Sequence, residues 1–143
     1  MKKVFLGGTV NGSKWRNQLI ELLNIQYFNP VVDDWNEEAY QRELFERENS
    51  DYCLYVITPK MLGFYAIAEL VDDSNKRPEK TVFCFLIEDE EEIFNQHQVK
   101  SLKSVGRMVI NNGALFFDSL ASTAEFFNNL PEEDTKELTE EAI

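Results

Sequence analysis

Two short, almost entirely apolar runs constrain the fold of this chain more than any other feature. They are DYCLYVITP (51–59) and KTVFCFLIE (80–88). Their aromatic and β-branched residues favour β-strands, and Pro59 marks the end of the first run. A strand without polar alternation is buried on both faces, which is typical of a parallel sheet with helices on each side. The sequence therefore predicts an α/β protein.

Helical and extended segments alternate along the remainder of the chain. Further strands are predicted within 2–8, 26–32 and 113–118. Helices are predicted at 13–24, 36–50 and 63–73, within 91–112 and at 119–130, with Asn36 and Ser119 as N-caps. Five strands joined by helical crossovers predict a flavodoxin-like, doubly wound parallel sheet of order 2-1-3-4-5 with helices on both faces. Residues 1–130 are expected to form this single domain, and 131–143 an acidic C-terminal tail.

The formal net charge of −12 and the apolar content of 43% limit the kinds of molecule that this protein is expected to bind. The composition is globular, and the negative field repels nucleic-acid polymers and anionic membranes but admits a small nucleoside or nucleotide into a local pocket. Cys53 and Cys84 lie in apolar runs, which predicts buried free thiols, with a disulfide left open if their strands are neighbours. Without an apolar signal-peptide core or a run long enough to span a membrane, we expect a cytoplasmic protein.

The predicted strand order also indicates where a ligand would bind. In such sheets ligands lie beyond the carboxyl ends of the strands, here between the first and third strands. The loop GGTVNGS (7–13) follows the first strand and precedes a helix whose free N–H groups favour an anion or a hydroxyl. Its glycines permit close backbone approach, although a plain strand-to-helix turn explains them equally well. The loop's glycines and short polar residues are Gly7, Gly8, Thr9, Asn11, Gly12 and Ser13.

One carboxylate, Glu69, lies in the otherwise apolar start of the helix GFYAIAELVDD (63–73). At about 100° per residue it falls opposite the face that packs on the sheet, together with Tyr65 and with Phe64 beside it. Glu69 is then either a solvent-exposed residue or a residue in a partly dry crevice, covered by a neighbouring helix or a second subunit. The spacing alone leaves both interpretations open.

Two other features of the sequence bear on its chemistry. PVVDDW (30–35) places Asp33, Asp34 and Trp35 after the second strand, where they form either an Asx turn or a set of acceptors and an aromatic wall for a nucleobase. His97 is the single histidine, so a Ser–His–Asp triad has no support, and no Cys/His spacing suits zinc. The sequence therefore predicts neither a metal nor a cofactor.

Three separated segments carry a family resemblance. They are VFLGGTVNGSKWRNQLIELL (4–23), YFNPVVDDW (27–35) and DYCLYVITPKMLGFYAIAELVDDSNKRPEKTVFCFL (51–86). In this order and spacing they resemble the nucleoside 2-deoxyribosyltransferase-like proteins, and the likeness extends over about residues 3–120. The resemblance implies the flavodoxin-like fold, and it implies either exchange of nucleobases on 2′-deoxyribose or hydrolysis of the N-glycosidic bond of deoxynucleotides.

The resemblance also implies roles for individual residues. Glu69 occupies the position of the family's nucleophile, which implies attack on C1′ of deoxyribose and a covalent glycosyl-enzyme. A second base or water then resolves this intermediate with net retention. The expected substrate contacts are Gly7, Gly8 and Thr9 from the glycine loop, and Asn11, Asp33, Asp34 and Trp35 around the base.

The chain departs from the family at two positions. A Tyr of the first strand that hydrogen-bonds the catalytic carboxylate is replaced by Phe5, and an Asp that contacts the sugar is absent near Gly63. Tyr65, one turn before Glu69, is predicted to supply the missing hydroxyl. In the family a neighbouring subunit completes the pocket, which implies a homodimer or higher homo-oligomer in which Asn111 or Asn112 is contributed by the partner.

Three functions are compatible with these observations. The first is transfer of deoxyribose from a 2′-deoxynucleoside to another nucleobase. The second is hydrolysis of deoxynucleoside 5′-monophosphates, with Ser13, Lys14 and Arg16 at the head of the first helix as a phosphate site. The third is a nucleoside-binding or nucleotide-binding protein that keeps the fold without the chemistry.

Overall fold

The computed structural model describes residues 1–131, so the predicted tail lies, apart from Pro131, outside the described residues. The central strands are β1 (Lys3–Gly8), β2 (Gln26–Phe28), β3 (Tyr52–Ile57), β4 (Thr81–Phe85) and β7 (Leu115–Phe117). The helices are α1 (Trp15–Leu22), α2 (Glu37–Asn49), α3 (Tyr65–Lys76), α4 (Gln96–Asn111) and α5 (Leu120–Asn128), with a 3-10 turn at Pro78–Lys80. The predicted N-caps are confirmed, because Asn36 accepts from the Ala39 N–H and Ser119 from the Ser122 N–H.

The five central strands form one parallel sheet of order β2-β1-β3-β4-β7. With β7 as the fifth strand of the sheet, this is the predicted flavodoxin-like order, and helices cover both faces. The order reverses between β1 and β3, so the loops that follow these two strands meet at the carboxyl edge of the sheet.

A short hairpin lies between β4 and α4, where the sequence predicted the end of a strand at 88 and a helix within 91–112. Its strands β5 (Glu88–Asp89) and β6 (Glu92–Ile93) are antiparallel, and Glu90 in the turn takes a φ of 56°. The helix consequently begins at Gln96, after a capping box made by Asn95 and Gln98. An antiparallel pair two residues long is too short to produce a periodic pattern in the sequence.

Alternate residues of each central strand point to opposite faces of the sheet and belong to two separate hydrophobic cores. One core contains Phe5, Tyr55 and Phe83 and packs against α3 and α4. The other contains Leu6 and Leu54 and packs against α1 and α5. This division follows from the two-residue period of a strand, and it explains why the strands are apolar throughout.

The two cysteines are buried free thiols, as the sequence predicted. β3 and β4 are neighbours, but their register pairs Cys53 with Thr81 and Val56 with Cys84. The two thiols belong to opposite cores, so the strands do not bring them together as a disulfide. Among residues 1–131, no helix is both long enough and apolar enough to cross a membrane.

Candidate active site at the carboxyl edge of the sheet

A cavity of about 310 Å³ opens at the carboxyl edge, between the glycine loop, the segment after β2, and helices α2 and α3. Its size is that of a small-molecule site. Its wall is formed by Phe5, Gly7, Gly8, Val10, Arg16, Pro30, Val31, Val32, Trp35, Glu43 and Glu69. The cavity therefore lies at the topological switch point where ligands bind in this class of fold.

The glycine loop forms the base of this cavity because its backbone runs against β3. Gly8 has a φ of +119°, and a Cβ there would lie 2.1 Å from the carbonyl oxygen of Val56. No other residue type fits that position without displacing β3. A Cβ at Gly7 would lie 3.0 Å from the ring of Tyr55. These glycines are required by close packing, and they leave the backbone beside the cavity free of side chains.

Arg16 is the cation of the cavity wall, and it is built into the loop. Its guanidinium donates to the carbonyl oxygens of Leu6, Thr9 and Gly8 at 3.0, 2.7 and 3.3 Å. The side chain is buried, and this burial lowers the pKa of Arg16 to about 10, although Glu43 opposes the shift. Arg16 thus holds the loop in shape with all three guanidinium nitrogens, and it also lines the cavity.

Glu69 reaches the cavity from the second turn of α3. Its side chain is 17% exposed, so it is neither a fully solvated residue nor a sealed one. Burial raises the pKa of the Glu69 carboxyl, and the guanidinium of Arg47 partly offsets this effect. A carboxylate in such surroundings is more reactive than one in water because fewer solvent molecules must be displaced.

Helix α2, and not the aromatic residues of α3, covers Glu69. Phe64 and Tyr65 are 74% and 75% exposed, so in the described chain they are not packed over Glu69. The cover comes from Arg47, whose Nη1 lies 3.5 Å from Glu69 Oε2, and from Glu43 at the cavity wall. Of the two explanations that the sequence allowed, a neighbouring helix therefore accounts for the partial burial of Glu69.

Arg47 belongs to a buried polar network below the cavity. It donates through Nε to Asp73 Oδ2 at 3.2 Å and through Nη2 to Asp73 Oδ1 at 2.9 Å. Tyr55 donates to Asp73 Oδ2 at 2.5 Å, and Arg77 donates to Asp73 Oδ1 at 2.7 Å. Burial alone would raise the pKa of Asp73, but these hydrogen bonds hold it below its usual value.

Glu43 is the second carboxylate in the cavity wall, and it lies one turn before Arg47 on α2. Burial raises the pKa of Glu43, while Arg47 and Arg16 partly offset the effect. Within residues 1–131 its carboxylate makes no hydrogen bond and no ion pair shorter than 4.0 Å. A carboxyl group in this state can accept a hydrogen bond from a ligand or hand a proton to it.

The predicted site residues divide into two groups in the structure. Gly7, Gly8, Trp35 and Glu69 line the cavity together. The others lie outside its wall within the described chain: Thr9, Asn11, Asp33, Asp34, Gly63, Tyr65 and Asn112. Their roles as substrate contacts or as a source of a hydroxyl remain predictions.

Several residues of the second group have structural partners. The Thr9 hydroxyl accepts from the Thr58 N–H, and Asn11 Oδ1 accepts from the Leu62 N–H, which joins the two loops beside the cavity. Asn112 caps the C-terminus of α4 and donates to Ser74 Oγ at 3.1 Å.

The three residues expected to bind a 5′-phosphate have protein partners as well. Ser13 donates to Asp89 Oδ2 at 2.5 Å, and Lys14 lies 3.7 Å from Glu90 Oε2 in the β5–β6 hairpin. Arg16 is directed into the loop and the cavity instead. The N-terminus of α1 is therefore tied to an acidic hairpin, which is a poor environment for a phosphate.

Sequence reasoning missed Glu43, Arg47, Tyr55 and Asp73. The available indication was the four-residue spacing of Glu43 and Arg47 on α2, matched by that of Glu69 and Asp73 on α3. Within residues 1–131, no group of three or more His, Cys, Asp or Glu side chains has an arrangement that could hold a metal ion.

A family model described as nucleoside 2-deoxyribosyltransferase like matches residues 1–86, which include the glycine loop, α2, Glu69 and Asp73. No curated protein and no solved structure matches the chain.

Proposed function

We propose, on the premise that the chain belongs to the nucleoside 2-deoxyribosyltransferase-like family, that it cleaves the N-glycosidic bond of 2′-deoxynucleosides and transfers deoxyribose to another nucleobase. The observation that carries this proposal is Glu69. It is a half-buried carboxylate in the wall of a cavity whose base is glycine backbone. The backbone leaves room for a flat ligand beside the carboxylate, and the cavity volume of about 310 Å³ suits a nucleoside.

In the proposed reaction Glu69 is the nucleophile. One carboxylate oxygen forms a bond to C1′ while the bond from C1′ to the base nitrogen breaks, and the electron pair of that bond leaves with the base. An acceptor base then attacks C1′ through a ring nitrogen, and the C1′–oxygen bond breaks to restore the Glu69 carboxylate. Two displacements at C1′ retain its configuration.

The departing base needs a proton, and Glu43 is the group best placed to give it. Glu43 lines the same cavity, has a raised pKa and has no partner closer than 4.0 Å within the described residues. As an acid it protonates the base that leaves, and as a carboxylate it accepts the proton that the incoming base releases. This proton balance needs no outside reagent.

Trp35 forms the outer wall of the cavity. It is 57% exposed, with its ring centroid 6.0 Å from that of Tyr40. An exposed aromatic side chain at the mouth of a cavity is a suitable stacking surface for a nucleobase. We therefore place the base towards Trp35 and the sugar towards Glu69.

The surroundings of the cavity support a homodimer or higher homo-oligomer. Large apolar side chains beside it are exposed to solvent: Val31, Val32, Trp35, Leu62, Phe64 and Tyr65. A cluster of this kind is unusual on a monomer and typical of a surface that a partner covers. A second copy seated here would narrow the cavity mouth and bring Tyr65 into a dry environment.

One experiment separates the proposed reaction from the alternatives. The protein is incubated with a 2′-deoxynucleoside and a different free base, and in parallel with a deoxynucleoside 5′-monophosphate, and the products are separated by chromatography. We expect an exchanged nucleoside. Free base from the monophosphate alone would indicate the hydrolase, and binding without turnover would indicate a non-catalytic binding protein.

The matched variants are Glu69→Gln and Glu79→Gln. The first removes the nucleophile and is expected to lower turnover at least 10³-fold, whereas the second makes the same change at an exposed position outside the cavity. Intact mass spectrometry with a slowly turned-over 2′-fluoro analogue should detect a glycosyl adduct on the wild type only. Full activity in Glu69→Gln would disprove the nucleophile assignment.

A further inference from the structure

The carboxylate of Glu69 is contacted by a cation whose own position is set by residues that do not reach the cavity. We propose that Arg47 is a positioning residue for Glu69, which fixes the orientation of the carboxylate at the cavity wall and keeps it ionised there. The inference rests on the proposed function, because it takes Glu69 as the nucleophile.

The geometry of Arg47 leaves it little freedom. Asp73 holds the guanidinium through two hydrogen bonds of 3.2 and 2.9 Å, and the Nε–H also points to the Tyr55 hydroxyl oxygen at 3.0 Å. Such a two-point contact determines the plane of the guanidinium as well as its place. The remaining edge, Nη1, then faces Glu69 Oε2 at 3.5 Å.

Asp73 is a rigid anchor because it is fully buried and has four hydrogen bonds. Besides the two from Arg47, it accepts from Tyr55 and from Arg77. The edge of Arg47 that contacts Asp73 docks α2 against α3. The edge directed at Glu69 also joins α2 to α3, but it contacts a carboxylate of the cavity wall, which points to a role at the cavity.

Within the set of residues that ion pairs join to Arg47 and Asp73, the charges of two cations and two carboxylates balance only when Glu69 is ionised. Arg47 and Arg77 carry two positive charges, and Asp73 and Glu69 carry two negative charges. When C1′ of the sugar is bonded to Glu69, the carboxylate charge is lost and the network has an excess of one positive charge. Cleavage of that bond leaves the electron pair on the Glu69 oxygen and restores the balance, which favours the second displacement.

The other groups that face Glu69 act against its ionisation. Burial raises the pKa of Glu69, and Glu43 on α2 and Asp73 on α3 raise it further. Arg16 of α1 acts on Glu43 and not on Glu69. Asp72 lies 3.9 Å from Arg47 but is half exposed and pairs with Lys76. Arg47 is therefore the cation within ion-pair distance of Glu69 in the described chain.

The test compares Arg47→Gln and Arg47→Lys by the pH dependence of kcat and kcat/KM for a 2′-deoxynucleoside. For Arg47→Gln we expect kcat to fall by about 10²-fold with a smaller change in KM. The pH at which activity falls on the acid side of the profile should rise by about one to three units. The reason is that a carboxylate nucleophile without its neighbouring cation takes up a proton at higher pH. Arg47→Lys restores the charge but not the two-point contact, so it should recover the acid limb more fully than kcat.

Arg42→Gln is the matched control. It makes the same change on the same helix, at a side chain that is 66% exposed and outside the cavity wall, and should leave both readouts unchanged. Should Arg47→Gln not fold, Tyr55→Phe tests the same idea without removing a charge. It loosens Arg47, so kcat is expected to fall several-fold while the acid limb stays in place. Unchanged kcat in the folded variants would overturn the role.

A readout that needs no turnover separates this role from the proposed function. The ¹³C shift of the Glu69 carboxyl carbon, assigned with Glu69→Gln, gives the pKa of Glu69 directly in the wild type and in Arg47→Gln. A higher pKa in the variant supports the inference, and an unchanged pKa overturns it. A wild-type protein that turns over no deoxynucleoside overturns the proposed function whichever way the carboxyl titrates.

Discussion

Both faces of the sheet have an apolar core, but one helix, α2, is held in a different way from α1 and α5. On one face α1 and α5 pack through apolar side chains, all 4% exposed or less: Trp15, Leu19, Ala124 and Phe127. On the other face α2 is attached by charges, through Glu46 to Lys3 at 2.6 Å and through Arg47 to Asp73 at 2.9 Å. The three large apolar side chains of α2 that face solvent are Tyr40, Leu44 and Phe45.

This difference explains where the cavity lies. Apolar side chains pack to a density that leaves no room for a ligand, as they do between α1 and α5. Long charged side chains join α2 to β1 and α3, and Glu43 and Glu69 line the cavity beside them. The apolar packing of α1 and α5 is thus separate from the side of the molecule where α2 leaves a cavity that is available for chemistry.

The largest expected effect is on the apolar face. Phe127→Ala removes a fully buried ring, and we expect the free energy of unfolding to fall by about 3–5 kcal/mol. Urea unfolding followed by circular dichroism measures this change. Under native conditions the folded fraction should keep wild-type affinity for a nucleoside, since Phe127 lies across the sheet from the cavity. A folded variant that had lost nucleoside binding would show that the two faces are not independent.

The second prediction breaks the charged attachment of α2. Asp73→Asn leaves Arg47 and Arg77 without their shared carboxylate in a buried place, and we expect a loss of about 3 kcal/mol in unfolding free energy. Asp72→Asn, one residue away and half exposed, is the control and should change stability by at most about 0.5 kcal/mol. Equal effects of the two substitutions would mean that burial does not distinguish these carboxylates.

The sequence predicted the apolar side of this comparison well. Continuous apolar strands and the helical spacing of residues such as Leu19 depend on local periodicity, and the strand order and both faces of the sheet were correct. The glycine loop and Glu69 were placed beside each other for the same reason, because parallel strands end at one edge.

The charged side could not be predicted in the same way. Arg47 and Asp73 are 26 residues apart, and on their own helices each is a typical polar residue. Only the packing of α2 beside α3 brings them together. The role of Tyr65, predicted from four-residue spacing, stays a prediction: its side chain is 75% exposed in the described chain.

A third prediction concerns pH and compares two carboxylates one turn apart on α3. The pKa of Asp73 is held below its usual value, so its contribution to stability is present above that usual value and is lost as pH falls through the lower folded-state pKa. The pKa of Glu69 is raised, so protonation of Glu69 favours the folded state and stability rises as pH falls through it. As pH is lowered through the acid range, the free energy of unfolding should therefore first rise slightly and then fall. Asp73→Asn should reduce the fall, and Glu69→Gln should remove part of the rise.

The smallest effect is expected on the solvent side of α2. Phe45 is 62% exposed, so Phe45→Ser should change the unfolding free energy by at most about 0.5 kcal/mol, in contrast to the loss expected for the buried ring of Phe127. The effect of Phe45→Ser on the unfolding free energy should be this small at low protein concentration. If a second copy covers this face, association stabilises the wild type by mass action. Phe45→Ser weakens that association, so the variant becomes less stable than the wild type as protein concentration rises. Unfolding midpoints over a concentration series, with light scattering for mass, measure this directly. A large loss of unfolding free energy at every protein concentration would instead show that Phe45 is packed within the chain. The solvent side of α2 would then not differ from the apolar packing of α1 and α5.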